Sequence, residues 1–163
     1  MLLAVDTGNT QTMVGLYEAV APGPRRGAES GLVDHWRVVT NADRTEDELA
    51  VLLGAFLADH DFDLRRDVTG MVVSSGVPAA TASLRRFARR YLTTDPIVLG
   101  PGVKSGMVVR YDDPRAVGAD RIANAVASTD LFGGSNIVVD FGTATTFDLI
   151  VEDGAYLVGS ILP

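Results

Sequence analysis

Ala4-Val5-Asp6-Thr7-Gly8-Asn9-Thr10 lies near the start of the chain, and Val138-Val139-Asp140-Phe141-Gly142-Thr143-Ala144 repeats its pattern far downstream. Each stretch reads as an apolar strand, an Asp, one residue, a Gly, a polar residue and a threonine-bearing turn before a second strand. A repeat on this scale points to two copies of one structural element. An Asp at a strand end offers carboxylate oxygens to a hard cation, directly or through water. A Gly two residues later lets backbone N–H groups come close to a ligand. Hydroxyls of Thr7, Thr10 and Thr12 in one copy, and of Thr143, Thr145 and Thr146 in the other, can donate to phosphate oxygens. Two such hairpins facing each other can grip a nucleotide polyphosphate with its cation. One D-x-G turn is ordinarily just a turn. Its recurrence among threonines, each time after a buried-type strand, is what points to a ligand.

Working outward, Leu2–Val5 and Met13–Tyr17 read as a hairpin around that polar loop, and Leu32–Thr40 alternates as a third strand. Residues 19–31 are rich in Pro and Gly and read as a flexible hairpin tip. Thr45-Glu46-Asp47-Glu48 is a capping box, followed by Leu49, Leu52, Leu53, Phe56 and Leu57 on one helix face. Gly70–Ser75 is a buried-type strand. Pro78 opens a helix carrying Leu84, Phe87, Ala88 and Tyr91. Pro96–Leu99 is a short strand and Gly100–Arg115 is turn material. Ala119–Phe132 is a helix closed by Gly133-Gly134. Ile137–Val139, Thr145–Val151 and Tyr156–Ile161 are strands. This order predicts an α/β fold, a mixed sheet with flanking helices.

Composition narrows the function. The chain has 163 residues, 47% of them hydrophobic and 21% charged, which is the balance of a folded domain. A formal net charge of −7 argues against a nucleic-acid or anionic-membrane binder. With no cysteine and two histidines, disulfides, thiol catalysis, zinc ribbons and multi-histidine metal sites drop out. No apolar run approaches the roughly 18 residues of a membrane span. Met1-Leu2-Leu3-Ala4-Val5-Asp6 reaches an acid at once, unlike a signal peptide, so a cytoplasmic location is expected. Gly100-Pro101-Gly102-Val103-Lys104-Ser105 resembles a P-loop in composition but lacks the Gly before the Lys, so Lys104 reads as a surface residue. Arg85, Arg86, Arg89 and Arg90 read as the solvated face of their helix. His35 and His60 read as surface or satisfied residues, and Trp36 as core or interface.

A second constellation joins a loop to a helix start: Tyr111-Asp112-Asp113-Pro114-Arg115-Ala116-Val117-Gly118-Ala119-Asp120-Arg121. Asp120 and Arg121 fall in the first helical turn, where unpaired N–H groups and the helix dipole favour anions. Arg121 can grip a carboxylate through its fork of donors. Asp120 can accept a hydroxyl proton. A well-placed weak base suffices for that, because phosphoryl transfer passes through a loose transition state. The plain alternative is a favourable first-turn acid beside a solvated arginine.

Asp6-Thr7-Gly8-Asn9-Thr10-Gln11-Thr12, Tyr111-Asp112-Asp113-Pro114-Arg115, Gly118-Ala119-Asp120-Arg121-Ile122-Ala123-Asn124-Ala125, residues 138–146 and Gly159-Ser160-Ile161-Leu162-Pro163 follow one another in the order and spacing of a known family. Together they resemble type III pantothenate kinase. The resemblance implies the actin, sugar-kinase and heat-shock-chaperone ATPase superfamily, built from ribonuclease H-like domains. It implies transfer of the ATP γ-phosphate to pantothenate, the first step of coenzyme A synthesis, by a homodimer. Mg2+ or another divalent cation and K+ or NH4+ would be required. Residues Asp6, Thr7, Gly8, Asn9, Thr10, Gln11, Thr12 and Met13 would form the first ATP loop, with Asp6 holding the divalent cation and phosphate. Thr143 would contact ATP and Asp140 would coordinate the monovalent cation. Tyr111, Gly118, Ala119, Asp120 and Arg121 would bind pantothenate, with Asp120 as the catalytic proton acceptor and Arg121 on the carboxylate. Gln11 departs from the Asn usual in the family. Family members run on past the position of Pro163. The expectation is therefore a ribonuclease H-like domain over 1–117 and the incomplete start of a second over 118–163, completed by a further C-terminal segment or another polypeptide. Three other readings stay open: a non-catalytic nucleotide- or pantothenate-binding regulatory module, an inactive fragment of the kinase, and a kinase of the same superfamily acting on another small hydroxyl compound.

Overall fold

A computed structural model describes residues 1–18, 31–100 and 103–162. The hairpin tip expected at 19–31 falls, except for Gly31, outside the described residues. The chain forms two compact units, one of residues 1–18 and 31–98, the other from residue 99 onward.

The first unit is a five-stranded sheet in the order β3-β2-β1-β4-β5. β1 (Leu2–Thr7), β2 (Gln11–Tyr17) and β3 (Leu32–Val39) form an antiparallel meander. β4 (Gly70–Ser75) and β5 (Ile97–Val98) add on in parallel. Parallel neighbours need crossovers, and helices supply them. α1 (Glu46–Ala58) carries the full capping box: Thr45 Oγ1 accepts the Glu48 N–H and Glu48 accepts the Thr45 N–H. Its Leu53 and Leu57 are buried, with Leu49 and Phe56 packed beside them. α3 (Pro78–Phe87) runs on through a wider π turn, Ala88–Leu92, and stops where Thr93 turns left-handed at φ 54°. Between them the sequence reading missed a one-turn α2 (Leu64–Asp67), whose first N–H groups are capped by Asp63. Leu3, Val5, Val14, Leu16, Val73, Leu84 and Phe87 close the core. Each such fully buried side chain contributes about 1.5–3 kcal/mol. The arginine face behaves as expected. Arg86 pairs with Glu46 and Arg90 with Asp47 across α1 and α3 and its extension, and Arg89 pairs with Asp95. Trp36 stacks on Phe56 with ring centroids 5.0 Å apart, and His60 Nε2 lies 2.6 Å from Asp34.

The second unit is a three-stranded antiparallel sheet, β6 (Asn136–Phe141), β7 (Thr145–Ile150) and β8 (Tyr156–Leu162). α4 (Ala119–Phe132) packs on it. Its core is Ala125, Ile150 and Tyr156, joined by Met107, Val109, Tyr111, Val117 and Val138. Gly133 ends α4 at φ 62°, a conformation that favours glycine. The opposite sheet face is apolar and exposed, with Ile137, Val139, Phe141, Val158 and Leu162. The sequence reading draws its domain boundary after residue 117, but by packing residues 103–117 go with this second unit. The cause is backbone pairing: the Tyr156 N–H donates to Val108 and the Arg110 N–H donates to Tyr156. Part of the segment read as turn material is a 3₁₀ turn, Pro114–Ala116, capped by Asp113.

Candidate functional site

Strand pairing runs further than alternation suggested, and that decides where the hairpin side chains go. β1 extends through Asp6 to Thr7 and β2 begins at Gln11, so the first turn is only Gly8-Asn9-Thr10. It is tied down by the Gly8 N–H to the Gln11 carbonyl, and by Thr40, whose N–H donates to Thr10 and whose hydroxyl donates to the Gly8 carbonyl at 2.7 Å. A strand alternates its faces. Asp6 is exposed at the strand end, level with Met13 across the register, as a cation- or phosphate-facing carboxylate must be. Thr7 points the opposite way, among the core residues, and its hydroxyl is buried without a partner. Thr12 shares that face, and its hydroxyl is 2.9 Å from that of Thr40. Of the hydroxyls the sequence offered to phosphate, those of Thr7 and Thr12 are thus turned inward, while Gly8, Asn9, Thr10 and Gln11 stay exposed.

The second hairpin repeats the arrangement. β6 reaches past Asp140 to Phe141, and the Gly142 N–H closes the turn onto the Ala144 carbonyl. Asp140 is half-buried and accepts a hydrogen bond at 3.0 Å from the Asn124 side-chain amide of α4. Thr146 pairs directly across from Asp140, and its hydroxyl is buried with no partner. Thr143 is exposed in the turn. An oriented carboxylate across the register from a buried, unsatisfied hydroxyl offers hard-oxygen donors of the kind cations take. Among the described residues no group of three or more Asp, Glu or His is arranged to hold a metal ion, so a divalent ion at Asp6 would take most of its ligands from phosphate and water.

The α4 start brings the third group together. Gly118 is the helix N-cap and Asp120 is exposed in the first turn, its Oδ1 accepting the Arg121 N–H at 2.9 Å. A Cβ on Gly118 would meet the tip of that carboxylate, so glycine leaves Asp120 room to fold back over the turn. Ala119 and Ile122 line an apolar cavity of about 140 Å³ with Met107, Val109 and Val117. Tyr111 packs into the same core, half-exposed. Arg121 is not a solvated neighbour. Its side chain is 12% exposed, and its Nε donates at 2.8 Å to Asp148, which is fully buried on β7. The Tyr156 hydroxyl donates to the same Asp148 oxygen at 2.6 Å. Burial, then the Asp148 hydrogen bond, push the Tyr156 hydroxyl well above the usual phenol range, so it stays a donor. Burial opposes the Arg121 charge, but the bond and charge of Asp148 outweigh it and raise its pKa. The sequence reading gave Asp148 and Tyr156 no role, and Asn124 and Gly159 stood in it only as members of quoted motifs. The available signal was a lone acid inside an otherwise apolar strand, which reads as an exposed position until its partner is known.

The sequence comparisons bear on the whole of this arrangement. A profile of the family described as type III pantothenate kinase matches residues 2–163. The chain belongs to that family. The chain is 44% identical over its full length to the type III pantothenate kinase of Halalkalibacterium halodurans, 46% to that of Myxococcus xanthus and 45% to that of Moorella thermoacetica. It spans about 60% of the length of these family members. Among solved structures, acetate kinase from Porphyromonas gingivalis superposes with a TM-score of 0.52 over 99% of this chain and 57% of its own, at 10% identity. The Ppx/GppA phosphatase of Aquifex aeolicus gives 0.50 over 99% and 51%, at 14% identity. Such distant likeness speaks to the fold alone, which is the mixed α/β fold with flanking helices expected from the sequence. No described helix is long and apolar enough to cross a membrane.

Proposed function

We propose that the protein phosphorylates pantothenate to 4'-phosphopantothenate with ATP, the first step of coenzyme A synthesis, and that this chain carries the residues that hold and activate the acceptor. The observation that carries this reading is the pairing of an exposed carboxylate with an anchored guanidinium on one helical turn. Arg121 takes the carboxylate of the acceptor. Asp120 accepts the proton of the acceptor hydroxyl as its oxygen bonds to the γ-phosphorus and the bond from phosphorus to the β-bridging oxygen breaks, releasing ADP. Tyr111, Gly118 and Ala119 complete the acceptor site. Asp6, Gly8, Asn9, Thr10, Gln11 and Met13 on the first hairpin, and Thr143 on the second, bind ATP. Thr7 and Thr12 contribute to that loop through the backbone, their hydroxyls being turned inward. Asp6 holds a divalent cation such as magnesium together with phosphate, and Asp140 holds potassium or ammonium. Bound cations supply charge neutralisation on the phosphates. A homodimer in the cytoplasm belongs to the same reading.

The test is ATP turnover with pantothenate, magnesium and potassium, beside Asp120→Asn. Loss of a general base at this position is expected to cost about 10²-fold or more in turnover. Pantothenate-dependent ADP release that is equal in parent and variant would overturn the role of Asp120. Nucleotide binding with no turnover in either would favour a binding module instead.

A further inference from the structure

The buried group beneath the α4 start is more than a brace for the sheet. Asp148 Oδ1 collects the Arg121 Nε–H, the Tyr156 hydroxyl and the close approach of Arg121 Nη2 at 2.6 Å. Its other oxygen, Oδ2, is buried with no donor, and Arg121 Nη2 is buried with no hydrogen-bond partner. An arginine–carboxylate pair built for stability alone closes fork to fork, two N–H groups on two oxygens. Here the pair closes on one oxygen. That fixes the plane of the guanidinium, with Nη2 enclosed between Asp148 and Gly159, on the residue next to Asp120. Gly159 on β8 completes the arrangement. It faces Asp148 in the strand register, and a Cβ there would strike Arg121 Nη2, the Tyr156 hydroxyl and Asp148 together.

We propose that Asp148 is a positioning residue for substrate recognition: through Arg121 Nε and Nη2 it holds the guanidinium in one orientation, so that the remaining edge of the group meets the carboxylate of the acceptor. Tyr156 and Gly159 set the place of Asp148. The inference rests on the reading of Arg121 as the group that grips that carboxylate. A preoriented guanidinium loses less side-chain freedom on binding, and burial makes its bond to an anion stronger than in water. Specificity for a carboxylate-bearing acceptor over its uncharged counterpart therefore depends on a residue that never touches either.

The test measures binding of pantothenate and of its primary amide to the folded chain by calorimetry. Parent, Arg121→Lys, Asp148→Asn and Tyr156→Phe are compared. Asp148→Asn is expected to weaken pantothenate about tenfold, the worth of one well-aligned charge-assisted bond, and to leave the amide unchanged. Tyr156→Phe keeps the ring and moves the same way by less, and it carries the test if the Asp148 variant does not fold. Equal losses for both ligands, or none, while Arg121→Lys still discriminates against pantothenate, overturn the positioning role alone. Failure of the parent to bind pantothenate, or of Arg121→Lys to discriminate, overturns the reading of Arg121 and the inference with it. A second readout needs no ligand. Nitrogen-15 relaxation of the Arg121 guanidinium should show hindered rotation in the parent and release in Asp148→Asn, and equal mobility in both would also overturn the proposal.

Discussion

Gly159 lies directly across β7 and β8 from Asp148, and its bare Cα is what leaves room for the Arg121 guanidinium and the Tyr156 hydroxyl between the strands and α4. Gly159→Ala puts a methyl group into that space, against side chains that are buried and tied to one another. Overpacking of a close-packed interior costs about 1–3 kcal/mol, and relief here requires breaking hydrogen bonds to a buried carboxylate. The second unit should lose stability in that range, read as faster hydrogen exchange of the β7 and β8 amides. Protection unchanged from the parent would mean that the three side chains can move aside without cost.

Acid sensitivity of the first unit should trace in part to Asp67. The bidentate Arg66 guanidinium, then the Asp63 N–H, hold the Asp67 carboxyl at a pKa of about 2, below its ordinary 3.8. A depressed carboxyl pKa stabilises the fold above the unfolded value, and the contribution is lost as pH falls through the folded one. The stabilisation from Asp67 is therefore complete above roughly pH 5 and declines as pH falls toward 2. Urea midpoints of parent and Asp67→Asn should differ by a constant amount from pH 7 to 5 and converge near pH 2. A gap that persists at pH 2 would assign the effect to something other than this carboxyl.

Thr45→Ala removes the hydroxyl that caps α1 and leaves Glu48 without half of its reciprocal bond. Loss of such a cap costs about 1 kcal/mol, and Thr45→Ser should restore most of it. Thermal unfolding followed through Trp36, which stacks on Phe56 of α1, reports the same unit. Equal melting temperatures for the Ala and Ser variants would count against the capping box as a source of stability.

What the sequence disclosed follows from the range of the forces involved. The meander, α1, β4, α3 and the sheet of the second unit were legible because alternation, helical spacing and caps are local. The one-turn α2 was missed because four residues carry no period, although Asp63 before Leu64 was a usable cap signal. Asp6, Asp120, Arg121 and Asp140 stood out because each sits beside a glycine turn or in a helix first turn. Asp148 did not, since its meaning lies in Arg121, 27 positions earlier in the chain. The inward turn of Thr7 and Thr12 was equally hidden. Threonines look alike in sequence, and only the extent of strand pairing fixes which face each takes.

Asn124 is the last residue whose role can be separated by experiment. Its amide holds one oxygen of Asp140 at 3.0 Å from within α4, and Asn124→Ala frees that carboxylate to rotate. If Asp140 holds the monovalent cation, an unrestrained carboxylate must be ordered at the moment of binding, so potassium binds more weakly while ATP binding at saturating potassium does not change. Turnover titrated with potassium should then show the half-saturating concentration rising severalfold, about 1 kcal/mol for a hydrogen bond of this kind, with the maximum rate kept. Asn124→Asp also removes the donor but puts a second carboxylate beside the cation, so its half-saturating potassium concentration should lie below that of the alanine variant. A potassium requirement that stays the same in both variants would move the cation away from Asp140, since neither the orientation nor the local charge of that carboxylate would then matter to it.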